Sequence, residues 1–294
     1  MKRWPGKRAP GLGGVMATLA MLPLAGCKYS ILDPKGSVGL QEKNLILIST
    51  LAMLLIIVPV IIMTVVIAWR YRASNEKARF EPDWGHSVKI ELFCWGIPSV
   101  IILFLAVLTW NTTHALDPYR PLADGKKPIT IEVVAQDWKW MFIYPEQGIA
   151  TINEVAFPEG TPVDFRITSD SVMNAFFIPE LGSMIYAMAG MTTQINLIAD
   201  QQGTFPGMSA MYSGRGFSDM RFNAIATTPE KFQAWVENAR KSPAVLTAAD
   251  YPKVAAPEEK APVRYFSKVE PDLFQQIIAK YLGKAVSFNS GMKE

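Results

Sequence analysis

The run from Leu45 to Ala68, LILISTLAMLLIIVPVIIMTVVIA, is 24 residues without a charge. As a helix it would be about 36 Å long, enough to cross a bilayer. Pro59 falls in mid-span and predicts a kink there. A second run, Leu92 to Trp110, LFCWGIPSVIILFLAVLTW, holds 19 residues and again contains a proline, Pro98. Together they predict a transmembrane hairpin over residues 44–110.

The loop joining the spans, residues 70–89, carries Arg70, Arg72, Lys77, Arg79 and Lys89 close to the helix ends. Positive loops stay in the cytoplasm, so the segment before the first span (27–43) and everything after Trp110 are expected outside. The N-terminus agrees independently. Residues 1–26 begin with Lys2, Arg3, Lys7 and Arg8, run into an apolar stretch and end in small residues, the pattern of a cleaved export signal. Leu24-Ala25-Gly26-Cys27 resembles the bacterial lipoprotein box. Cys27 is therefore expected to become the lipidated first residue of the mature chain, the alternative being an ordinary signal with a chance cysteine.

Beyond the hairpin, the residue types that do chemistry are scarce. The only cysteines are Cys27 and Cys94 and the only histidines are His86 and His114, so Leu116 to Glu294 has neither. That excludes a disulfide, a thiolate nucleophile, a Ser-His-Asp triad and any metal site built on imidazole or thiolate in that region. The net charge of +3 is concentrated nowhere beyond the N-terminus and the one short loop, which argues against a nucleic-acid partner.

From Ile129 to Thr227 the chain reads as short strands. ITIEVV, VDFRIT, QINLIA and MRFNAIA alternate apolar with polar or small residues, and Gly, Pro, Asp and Ser clusters separate them. Residues 117–227 are expected to form a β-sandwich. After Thr228 the pattern turns helical. TPEKFQAWVENARKS has a Thr cap, Pro at the first helical position, and Phe232, Trp235, Val236 and Ala239 on one face. EPDLFQQIIAKYLG is a second amphipathic helix, with Gly283 as its expected stop. Residues 228–294 would then be a helical arm lying over the sandwich or over a partner.

Two spans followed by an external sandwich resemble subunit II of the haem-copper terminal oxidases over about Asn44 to Ala226. IELFCWGIP is similar to the E-L-x-W-x-x-P opening of that family's second span, with one extra residue between Leu92 and Trp95. QDWKWMFIY resembles its aromatic run, and SVMNAFFIP and GMSAMYSGRGFSDM resemble the segments that carry a dinuclear copper in the cytochrome c oxidases. The resemblance implies a membrane-anchored all-β chain: a two-helix hairpin, a cupredoxin-like Greek-key sandwich and a short helical C-terminal arm.

Laid over this chain, the family's copper ligands fall on Asn174, Ser209, Met211, Ser213, Phe217 and Met220. Only Met220 is retained. Hydroxyls do not replace thiolates at neutral pH, and a phenyl ring donates nothing. The resemblance is therefore to the copper-less quinol oxidase branch, of cytochrome bo type. That implies no metal or cofactor in this chain, haems and copper in subunit I, ubiquinol as the substrate of the complex, and no cytochrome c partner. It further implies association with subunits I, III and IV and membrane lipid in a bacterial inner membrane, with the C-terminal domain periplasmic.

Glu91 opens the second span on the cytoplasmic side. By itself it reads either as a functional ionisable group or as an interfacial anchor. The resemblance implies the first, the entrance of a proton pathway into subunit I. Trp138 and Trp140 are expected to pack the sandwich, and Cys94 and Trp95 to pack on a neighbouring helix. The rival readings are a copper-bearing subunit, against which the lost ligands stand, and a stand-alone membrane-anchored scaffold or binding lipoprotein with a degenerate cupredoxin domain.

Overall fold

The computed structural model describes residues 30–79, 85–122 and 125–290. The expected export signal and Cys27 lie outside them. Helix α1, Ser37–Arg70, and helix α2, Val88–Ala115, are both continuous through their internal prolines, Pro59 and Pro98. Both are long and apolar enough to cross a membrane, and their large side chains are exposed along most of their length. That is the surface expected of a helix solvated by lipid or by partner helices.

The first helix starts at Ser37, before the expected start at 44, because the sandwich supplies what its sequence lacks. No side chain caps its N-terminus. Instead the Gly39 amide donates to the Leu181 carbonyl at 3.0 Å, satisfying one of the orphan donors of the first turn. Lys35 N donates to Glu180 O at 2.7 Å, Asp200 N donates to Lys35 O at 2.8 Å, and Ser183 Oγ donates to Glu42. At the other end of the hairpin, Asn196 donates from its backbone and side chain to Pro118 O. Both outer ends of the hairpin are thus joined to one edge of the external domain.

That domain contains β1 (Ile129–Gln136), β2 (Lys139–Tyr144), β3 (Ile149–Ile152), β4 (Glu154–Pro158), β5 (Val163–Ser169), β6 (Asn174–Phe177), β7 (Ile185–Ala187), β8 (Thr193–Leu197), β9 (Gly203–Ser209) and β10 (Arg221–Thr227). After it come α3 (Pro229–Arg240), β11 (Val245–Leu246), α4 (Tyr251–Ala255), β12 (Arg264–Phe266), β13 (Lys268–Val269) and α5 (Leu273–Ser290). The six-stranded sheet runs β12-β3-β2-β1-β5-β8 and the five-stranded sheet β4-β10-β9-β6-β7. The pairs β1–β5 and β4–β10 are parallel and the other neighbours within these two sheets antiparallel.

An aromatic core fills the space between the sheets. Phe176 and Phe222 stack with centroids 5.1 Å apart, and Trp140 meets both edge-on at 5.4 and 5.8 Å. Trp140 therefore packs the core, as expected. A second core lies on the outer face of the six-stranded sheet, where Val134, Met141, Ile143, Ala150 and Ile152 are covered by Leu246, Tyr251, Phe266, Leu273, Phe274, Ile277 and Ile278. The arm therefore lies over its own sandwich.

This cover explains a strand that does not alternate. All six residues of β2, KWMFIY, are buried because the strand is covered on both faces, and the five after Lys139 form a continuous apolar run. The arm also joins the sheet itself, since β12 pairs with β3 through Phe266↔Ala150. Its first helix is capped as the sequence predicts, by Thr228 accepting from Lys231 N, with Pro229 at the first position. Gly283 does not stop the last helix, which continues to Ser290. A glycine costs a helix interior about 1 kcal/mol but ends it only where a left-handed cap forms.

Of the carboxylates beside the arm, one titrates well away from its ordinary range. Glu132, on the outer face of β1, has its pKa pushed up to about 6, by burial first; Arg166 opposes this and Asp272 adds to it. A folded pKa above the ordinary 4.5 means that the fold binds the proton more tightly than the unfolded chain. The associated stability is whole below 4.5 and declines as pH rises through 6. Glu132→Gln should remove that decline and make the domain about 1 kcal/mol more stable than wild type at pH 7, after discounting for partial solvent access. Urea unfolding at pH 4.5 and 7 measures it; equal differences at both pH values refute the assignment.

Candidate functional site

Two places carry the residues singled out by sequence: the loop 210–220 with β6 beside it, and the N-terminal start of α2. At the loop, antiparallel pairing of β6 with β9 sets Phe176 opposite Ser209 and brings Asn174 next to it. Both polar residues are buried. Ser209 Oγ lies 3.1 Å from Asn174 Oδ1 and 3.1 Å from the carbonyl oxygen of Met211, and it can donate to either. Asn174 Nδ2 donates to Val172 O at 3.0 Å. Ser213 Oγ donates to the thioether of Met220 at 3.8 Å, and Met220 is fully buried.

Phe217 turns its ring to Tyr212, centroids 5.6 Å apart, and its carbonyl accepts from Met220 N at 3.1 Å. The six positions therefore come together at one end of the sandwich. What they assemble is an amide, two hydroxyls, a buried thioether, a half-buried methionine and a phenyl ring, tied to one another by hydrogen bonds. Such a donor set does not fit a dinuclear copper centre, which needs thiolates to bridge and imidazoles to cap. No group of three or more His, Cys, Asp or Glu side chains converges among the described residues.

Around this loop the structure adds contacts that the sequence did not show: Trp138 lies against the sandwich core, as expected, and also reaches the loop. Trp138 sits in the two-residue turn between β1 and β2 with φ +66. Its indole Nε1 donates to Ser213 O at 3.1 Å, and its ring lies against Gly214 and Gly216. A Cβ on Gly216 would come within 2.5 Å of that ring. Lys139, with a side chain only 1 % exposed, donates to Ala256 O at 2.7 Å and pairs with Glu258 at 3.3 Å. Burial pushes the Lys139 ammonium down, and Glu258 partly restores it. For Glu258, burial acts to raise the pKa, but the hydrogen bond from Lys139 and the charge of Arg264 outweigh it and hold it low.

A short Asp-Trp step between two strand patterns could have revealed the turn at Trp138. Nothing local marks Lys139, whose partner is 119 residues away.

At the start of α2, Glu91 occupies the first turn, where the helix dipole favours a carboxylate. Its Oε1 lies 2.6 Å from His86 Nδ1, and both side chains are more than half exposed. The histidine partner had no sequence signal beyond its presence. Cys94 and Trp95, one turn further on, are exposed, so neither packs on α1 of this chain. The face they occupy is left open.

Comparison with known proteins gives the same family. The model of the cytochrome c oxidase subunit II periplasmic domain matches residues 146–226, and that of the COX aromatic rich motif matches residues 240–285. Cytochrome bo(3) ubiquinol oxidase subunit 2 of Pseudomonas putida is 57 % identical over 277 residues, 94 % of this chain and 88 % of that protein. Ubiquinol oxidase subunit 2 of Acetobacter aceti is 56 % identical over 276 residues, 93 % of this chain and 89 % of that one. Quinol oxidase subunit 2 of Bacillus cereus is 37 % identical over 84 % of this chain and 86 % of its own length. With two apolar helices, a cupredoxin-like external domain and similarity running through hairpin, sandwich and arm alike, the chain belongs to the subunit 2 family of the cytochrome bo-type ubiquinol oxidases, as a membrane-anchored protein with a periplasmic C-terminal domain.

Proposed function

We propose that the chain is subunit 2 of a proton-translocating quinol oxidase of the aerobic respiratory chain, in a bacterial inner membrane, and that it works there without a redox centre of its own. The observation that carries this reading is the donor set at Asn174, Ser209, Met211, Ser213, Phe217 and Met220, closed on itself by hydrogen bonds. A soluble electron donor would need an acceptor in the outer domain. A quinol moves in the bilayer and delivers its electrons to haems within the membrane, so the outer domain needs none. What remains for this chain is to support assembly with subunits I, III and IV among membrane lipid, to cover the outer face of subunit I, and to supply a proton entrance at Glu91.

Glu91 suits that last role by position and chemistry. It stands at the cytoplasmic end of α2, open to water, with an imidazole in contact, so it can take a proton from bulk and pass it on. Purification of the complex through this chain should bring down a polytopic partner whose spectrum shows haem, and metal analysis should assign no copper to this chain. Isolation without a haem-bearing partner supports the stand-alone scaffold instead. In the purified complex, Glu91→Ala should slow ubiquinol-driven oxygen reduction by about tenfold with haem content unchanged. Undiminished turnover removes Glu91 from the pathway.

A further inference from the structure

We propose that the C-terminal arm is a brace for the loop 210–220, ordering it at a distance through the turn that carries Trp138. From within, the loop is held by short-range bonds, such as Ser213 Oγ to the Met220 thioether and Phe217 N to Gly214 O. It reads AMYSGRGFSDM, and its only regular element is the 3-10 turn Phe217–Asp219. Its tip exposes Tyr212, three-quarters open to solvent. From outside, Ala210 N donates to Ala175 O at 3.0 Å at the base of the loop, and Trp138 holds its middle, its ring covering Gly214 and Gly216 and its Nε1 donating to Ser213 O.

Trp138 itself needs holding. A bulky residue in the left-handed region is disfavoured and persists only where its surroundings impose it. The arm grips this turn on both sides of Trp138. Glu258 N donates to Asp137 O at 3.4 Å, and Lys139 Nζ donates to Ala256 O and Glu258. A buried ammonium cannot be left without partners, and among the described residues the Lys139 ammonium donates to Ala256 O and Glu258, both in the arm. If residues 256–258 leave, Lys139 must move to water, and the turn must move with it. Trp138 would then lift from the loop. A direct ion pair, Arg215 to Glu259 at 3.4 Å, also joins loop and arm, but its exposure makes it a minor part of the link.

Amide hydrogen exchange in the purified complex, containing the full chain, tests the brace from both ends. Lys139→Met cuts arm from turn. It should speed exchange across 210–220 by about tenfold while β5 keeps its protection. Gly216→Ala pushes Trp138 from the loop side. Coupling between two sites is reciprocal, so it should speed exchange of the Glu258 amide, which bonds to Asp137 O, by a comparable factor.

Two results overturn the proposal. One is Lys139→Met freeing 256–258 with the loop unchanged; the other is Gly216→Ala loosening the loop with Glu258 unchanged. Should Lys139→Met also strip protection from β5, Glu258→Gln reads the same link from the solvent side, with the same two outcomes deciding.

Discussion

Phe176→Ala should unfold the external domain or leave it barely stable, with a loss of about 3–5 kcal/mol against the roughly 5–15 kcal/mol that holds a domain together. Phe176 is fully buried and is the hub of the aromatic core. Its ring stacks on Phe222 at 5.1 Å and meets Phe165 at 5.2 Å, Trp140 at 5.4 Å and Phe142 at 6.4 Å. Truncation leaves a cavity bounded by rigid rings on strands of both sheets, which cannot close in around it. The same change reaches the candidate site, because Phe176 lies opposite Ser209 in the β6–β9 register. Urea titration of the complex, followed by near-ultraviolet circular dichroism, gives the loss directly, and amide exchange at Ser209 should rise with it. Phe176→Leu, which keeps most of the volume, should cost no more than about 1–2 kcal/mol. Equal stability of Phe176→Ala and wild type would show that the core is not built around this ring.

Gly36→Ala should break the joint between the hairpin and the sandwich. The added Cβ would sit 2.2 Å from Ile198 O and 3.2 Å from Leu181 O, both backbone atoms that cannot rotate aside. Moving the chain away sacrifices the bonds from Lys35 N to Glu180 O, Asp200 N to Lys35 O and Gly39 N to Leu181 O. At about 1 kcal/mol each, that is about 3 kcal/mol at one joint. The sandwich would remain folded yet lose its fixed seat on the membrane helices. Trypsin cleavage after Lys35, now shielded by these contacts, should accelerate by about a hundredfold, following that energy. Gly96→Ala, where a Cβ meets nothing within 4 Å, is the control and should leave cleavage unchanged. Resistance of Gly36→Ala to cleavage would mean that the joint yields without breaking.

Much of this molecule could be read before any coordinates. Uncharged length marks α1 and α2, because a bilayer imposes the same demand on any sequence. Alternation marks β1, β5, β8 and β10, each with one face in the core and room for polar residues on the other. The hydrogen-bonded cluster at Ser209, Asn174, Ser213 and Met220 consists of the positions named from the motif, since short spacing along one loop keeps residues together whatever their chemistry.

Other features could not be read locally. The start of α1 depends on a carbonyl at Leu181, and β2 is buried throughout, Lys139 included, because an arm more than a hundred residues later covers it. Helical periodicity showed that α5 has an apolar face and left open whether that face meets the sandwich or a partner. Gly283 looked like a stop because composition suggests where a helix can end, whereas the backbone conformation decides whether it does.

By itself the sequence determined the two apolar spans, the strand-rich outer domain and the donor chemistry of the loop, all of which follow from residue type and short-range period. Only the tertiary structure decided that the arm folds back over the six-stranded sheet, that Lys139 is buried against Glu258, that Trp138 covers the loop and that His86 reaches Glu91. Those contacts depend on how distant surfaces fit together, and free energy of that kind leaves no periodic mark on the chain that carries it.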